Sequence, residues 1–184
     1  MRMTPPSRSV LVTLIASFFC FALFSSGQER KGNVSRILSG FPGYHLLTLK
    51  ELDSDARAFF LQHFPKASPS VVHADFDGDG RLDYALLLRN EKLQATKQVV
   101  LLCSEDGHCR NVYELDVSAS SCSNYLRRVT RGSRVSQTEA IDANHSAPVI
   151  LKFSGIRVTY FGKAEAVLYW NEKLHKIEGV QTAD

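Results

Sequence analysis

Nine consecutive residues carry the strongest chemical signal in the chain: Asp75-Phe76-Asp77-Gly78-Asp79-Gly80-Arg81-Leu82-Asp83. Carboxylates stand at positions 1, 3, 5 and 9, and four of the chain's ten aspartates fall in this window. Set against Arg81, they leave a local charge of −3. Crowded carboxylates repel one another, and a cation held among them removes the repulsion. Calcium suits an all-oxygen donor set, being a hard ion that takes about 6–8 oxygens in flexible geometry. Gly80 permits a sharp turn at position 6, as glycine does in EF-hand loops. The backbone carbonyl of Arg81 is expected to add an oxygen while its side chain points away, and Leu82 is expected to anchor the loop in the core. An EF-hand would carry Glu at position 12 between two helices. Position 12 here is Leu86, inside an apolar strand-like run.

The cysteines come next. Cys103 and Cys109 bracket Ser104 to His108 between two expected strands. A cross-strand disulfide between them is sterically reasonable, and Cys109–Cys122 is the alternative pair. Zinc held by Cys103, His108, Cys109 and Cys122 is disfavoured, because adjacent His108 and Cys109 lack the usual spacing of paired ligands. The six histidines form no HExxH pattern. His73, just before the acidic loop, reads as a strand residue rather than a general base. There is no G-x-S-x-G elbow, P-loop or dinucleotide fingerprint, and so no catalytic residue to name.

Two surface features could recognise a partner. Arg127, Arg128, Arg131 and Arg134 surround Gly132-Ser133 and read as a solvated basic hairpin. With only Tyr125 nearby, they lack the interleaved aromatics of a nucleic-acid surface. Tyr160, Phe161, Tyr169 and Trp170 read as core or cross-strand aromatics, or else as a carbohydrate or peptide platform if they face solvent.

The elements that position these residues are mostly strands. Leu49, Leu52, Ala56, Phe59, Phe60 and Phe64 recur at helical spacing, which predicts one helix packed on a sheet. Thr48 and Glu51 form a capping box at its start, and Pro65 stops it. Val71 to Ala74 predicts a short strand. Tyr84 to Leu88 and Val99 to Leu102 predict central strands covered on both faces. Val112 to Val117 places Tyr113, Leu115 and Val117 on one side. Ile156, Val158 and Tyr160 alternate with polar residues, and Asn171-Glu172-Lys173 predicts a hairpin turn between Ala166–Trp170 and Leu174–Ile177. Residues 118–148 carry no clear period. The expected fold class is α+β: one N-terminal helix packed on a mainly antiparallel sheet, mostly β.

From His73 to Leu87 the chain resembles the D-x-D-x-D-G-x-x-D calcium loop of FG-GAP and VCBS repeats, found in integrin-type propellers and bacterial extracellular proteins. The resemblance covers about one repeat core. It implies that Asp75, Asp77, Asp79, Asp83 and the carbonyl of Arg81 ligate Ca²⁺. A single copy is too little for a propeller of four-stranded blades, so the resemblance implies the loop chemistry and not the propeller.

The N-terminus qualifies the overall charge. Arg2 and Arg8 precede an apolar run from Val10 to Phe24, followed by Ser25, Ser26 and Gly27. This is the order of a secretory signal peptide, predicted to span residues 1–27. An uncleaved N-terminal membrane anchor is the alternative. Phe18-Phe19 disfavours a lipid anchor at Cys20. Residues 28–43 are expected to be a flexible leader and 44–184 a single domain. The full chain has 184 residues and a net charge of +3. Without residues 1–27 it would have 157, with 20 basic against 19 acidic side chains. Near neutrality does not point to nucleic acid or an anionic membrane. No other segment is expected to cross a membrane. Apolar content of 44% and charged content of 22% are those of a folded protein and exclude a disordered or collagen-like chain. Asn33-Val34-Ser35 and Asn144-His145-Ser146 are glycosylation sequons that matter only in a eukaryotic secretory pathway.

The expected function is an exported, periplasmic or secreted, non-catalytic calcium-binding module that meets a protein or polysaccharide. A binding or inhibitory protein acting through the basic hairpin or an aromatic sheet face is the alternative. A secreted hydrolase without a recognisable motif is the third.

Overall fold

The structure, a computed structural model, describes residues 33–117, 122–139 and 147–183. The predicted signal peptide and the sequon at Asn144 lie outside the described residues. The chain divides into two compact units, Met1–Pro42 and Gly43–Asp184. In the first, residues 33–38, within the expected leader, are helical. The Ser39 hydroxyl donates to the Arg36 carbonyl at 2.7 Å and satisfies a group at the end of that turn.

The second unit is built from antiparallel strands. One sheet contains β1 (His45–Leu46), β2 (Val71–Ala74), β3 (Asp83–Asn90), β4 (Ala95–Cys103) and β5 (Cys109–Val117). Strands β1 and β2 lie along the same edge of β3, pairing with Leu88–Arg89 and with Asp83–Leu86. The other large sheet runs β11-β10-β9-β6, with β6 (Asn124–Val129), β9 (Gly155–Tyr160), β10 (Ala164–Asn171) and β11 (Lys176–Ala183). A small ladder joins β7 (Arg134–Val135) to β8 (Val149–Ile150). The fold is α+β and mainly antiparallel β, as the apolar patterning predicts.

Every residue of β3 is buried, in keeping with its unbroken apolar run. Ala85, Leu87, Val100 and Leu102 of the first sheet share one core with Leu126, Ile156, Val158 and Leu168 of the second. Phe60 enters this core from the helix, its ring 5.2 Å from Tyr125. Burying such a side chain contributes about 1.5–3 kcal/mol.

The predicted helix is divided in two. Leu49–Glu51 is a 3₁₀ turn carrying the Thr48–Glu51 capping box, and α1 spans Ser54–His63. Between them Leu52 is extended (φ −65°, ψ 143°), and Asp53 stands at the N-cap position of the second segment without a side-chain capping bond. Leu52 is buried in the common core, so tertiary burial outweighs helical continuity here. Strand β5 also departs from simple alternation. A register shift opposite Val100 and Leu101 admits both Val112 and Tyr113 to the core side. Leu115 is left exposed at 40%. The arginines do not form a hairpin: β6 pairs with β9 and β7 with β8. The last hairpin turns further on than expected, over residues 172–175, and Leu174 is exposed at its tip.

Candidate metal centre

The acidic loop closes a hairpin. Ala74, the last residue of β2, pairs with Asp83, the first of β3, so Asp75 and Asp83 leave and re-enter the sheet side by side. Carboxylate oxygens of Asp75, Asp77 and Asp83 lie within 4.8 Å of one another. Oxygens bound to one calcium ion at about 2.3–2.6 Å stand at such separations.

Asp83 is the fixed member. It has no exposed surface, and its Oδ2 and Oδ1 accept hydrogen bonds from the backbone N–H groups of Phe76 (2.8 Å) and Cys103 (2.9 Å). Burial pushes its pKa up to about 7, with the charges of Asp77 and Asp79 adding to the rise and the two N–H donors opposing it. Asp77 is also raised, by burial first and then by Asp79 and Asp75 against a hydrogen bond from the Asp79 backbone. These are the consequences expected of carboxylates crowded in a poorly hydrated place.

The other carboxylates shape the turn. Asp75 accepts from the N–H groups of Gly78 (2.6 Å) and Gly80 (3.0 Å), folding the loop around its carboxylate. Asp77 accepts from the Asp79 N–H at 3.1 Å. Asp79, expected among the ligands, stands outside the three-carboxylate group. It is bound by the N–H and guanidinium of Arg81 at 2.8 and 2.9 Å. The Arg81 side chain, expected to point away, spans from Asp79 to Glu105 at 3.2 Å. Leu82 does not anchor the loop, being 37% exposed; Phe76, at 1%, does so from the common core.

A third contact was not legible in the sequence. Gly78 has φ +87°, and a Cβ there would lie 2.0 Å from the Phe153 ring. Phe153 lies in the segment leading into β9, so that connection covers the loop. No local signal joins residues 75 positions apart. The β4–β5 hairpin supplies the remaining wall. Cys103 and Cys109 face each other in register and form a disulfide. Both the Cys109–Cys122 pair and the zinc set are thereby excluded. Cys122 is free and half-buried, and burial raises its thiol pKa. A cleft of about 390 Å³ beside the loop is lined by Asp77, Asp79, Cys103, His108, Cys109 and Arg110, among others.

His45, Glu51 and Glu91 also converge. The sequence gives no hint of this, since the β1–β3 pairing brings His45 near that end of β3. Glu51 is engaged there: Thr48 donates its N–H and hydroxyl to Oε2, both at 2.7 Å, and His45 Nε2 lies 2.7 Å from Oε1. We assign this group to capping.

The aromatic residues do not make a free platform. Tyr160, Phe161 and Trp170 pack against the common core, and Tyr169 packs against the smaller cluster around Val135, Leu151 and Val167. Among the described residues, no helix is long and apolar enough to cross a membrane. No family model, curated protein or solved structure matches the chain.

Proposed function

We propose that the protein is an exported, non-catalytic calcium-binding module with an FG-GAP/VCBS-type loop. Asp75, Asp77 and Asp83 hold Ca²⁺, and the ion ties β2 to β3 and fixes a surface for a protein or polysaccharide partner. The observation that carries this reading is the convergence of the Asp75 and Asp77 carboxylates with that of the wholly buried Asp83. Asp79 and the Arg81 carbonyl complete the shell. Asp79 must then leave Arg81, at small cost, because a solvent-exposed ion pair contributes only about 0–1 kcal/mol. The basic, apolar, small order of the N-terminus supports export. A Cys103–Cys109 disulfide suits an oxidising compartment.

Thermal melts in calcium and in chelator test the reading. A ligand at a hundred times its Kd stabilises by about 2.7 kcal/mol. Asp77→Ala should melt at one temperature in both buffers. Coincident wild-type curves would exclude a stabilising calcium site.

A further inference from the structure

We propose that a second site, separate from the acidic loop, binds the oxyanion of a small ligand in the cleft between β2 and β6. The cleft holds about 570 Å³, within the usual range of ligand pockets. Lys66, Ser68, His73, Arg127 and Arg128 form its polar lining, above the buried side chains of Val72 and Leu126. Among the described residues, no carboxylate lines it.

The charge is uncompensated as well as local. Among the described residues, Arg81, Lys97, Lys152, Arg157 and Lys176 have a carboxylate partner, whereas Arg89, Arg110 and Arg134 have none. Among the described residues, Lys66, Arg127 and Arg128 have no such partner. Arg127 also stands directly opposite Arg157 in the β6–β9 register, an arrangement that disfavours the fold by itself.

Arg127 is held ready for a ligand. Its guanidinium carbon sits 3.7 Å from the centre of the Phe64 ring, and Phe64 is wedged against Phe60 and Tyr125. Stacking occupies the face of the guanidinium and leaves its in-plane N–H donors for an acceptor. Among the described residues, no side-chain hydrogen bond uses them. A planar donor fork fixed in advance matches the paired oxygens of a carboxylate, sulfate or phosphate and lowers the ordering cost of binding. The segment bearing Lys66 and Ser68 is held to β6 by the Leu126 N–H, which donates to the Pro69 carbonyl at 2.8 Å. Ala67 and Val71, which keep exposed surface in the cleft wall, would accept the apolar body of the ligand.

Amide NMR on the full chain tests this, in calcium-free buffer with ionic strength held constant by chloride. Sodium sulfate and sodium galacturonate are titrated separately. Saturable shifts are expected at residues 66–68, 71–73 and 126–128, and Arg127→Met should weaken binding about tenfold or more, the order carried by charge-assisted hydrogen bonds. A response to sulfate alone identifies a tetrahedral oxyanion, and a response to galacturonate alone a carboxylate. Should Arg127→Met fail to fold, the exposed pair Lys66→Ala and Arg128→Ala takes its place, with a smaller loss expected. Non-saturating shifts, shifts spread over all surface cations, or equal affinity in the folded variants would overturn the proposal.

Discussion

The backbone N–H of Cys103 donates to Oδ1 of Asp83 at 2.9 Å, joining the disulfide hairpin to the most buried carboxylate of the acidic loop. A second link runs from Glu105, inside the hairpin, to Arg81 in the loop. The hairpin is thus a wall of the candidate site, and on the proposed reading its order would affect a bound ion.

Removing the disulfide should therefore weaken calcium binding. Closing so short a loop stabilises by about 2 kcal/mol in the chain-entropy account. The Cys103→Ser/Cys109→Ser variant should melt lower and bind calcium less tightly than the oxidised wild type. Calorimetric titration of both proteins checks this. Equal affinities in two folded proteins would show that the hairpin does not support the site.

Gly78 and Gly80 should differ in their tolerance of alanine. Both have positive φ, +87° and +83°, which costs about 1–2 kcal/mol for an L side chain. A Cβ at Gly80 meets nothing within 4 Å, whereas one at Gly78 collides with Phe153. Urea denaturation should show Gly78→Ala to be the more destabilising. Adding Phe153→Ala to Gly78→Ala should restore part of the difference. Equal effects of the two alanines would mean that Phe153 does not cover the loop.

Glu51 should contribute to acid sensitivity. Its pKa is lowered: burial raises it, but the Thr48 hydroxyl and N–H, followed by His45, outweigh burial and favour the carboxylate. A carboxylate with a depressed folded pKa stabilises above its ordinary value of 4.5, and that stability is lost as pH falls through the lower folded value. Wild type should lose stability below pH 4.5 more steeply than Glu51→Gln. Parallel denaturation profiles would show that the capping box carries no such linkage.

Much of the strand content was legible because burial leaves a local trace. The apolar run at Tyr84–Leu88 belongs to a strand buried throughout, and the alternation at Ile156 and Val158 marks the inner face of β9. The break at Leu52 was not legible, since Leu52 continues the helical spacing and only the core decides where it points. The same holds at the acidic loop. Its carboxylate spacing predicted a common centre, and three carboxylates do converge. Asp79 stands apart from them, held by the Arg81 guanidinium, and the anchoring by Phe76 and the cover by Phe153 depend on tertiary packing. The basic cluster misled as a hairpin because β6 finds its partner about thirty residues later in the sequence.

Calcium titration of chelator-treated protein by calorimetry tests the central claim most directly. The account predicts one ion per chain, with Asp75→Asn, Asp77→Asn and Asp83→Asn each abolishing or strongly weakening the binding. No saturable heat in the wild type, or binding that survives all three substitutions unchanged, would contradict it.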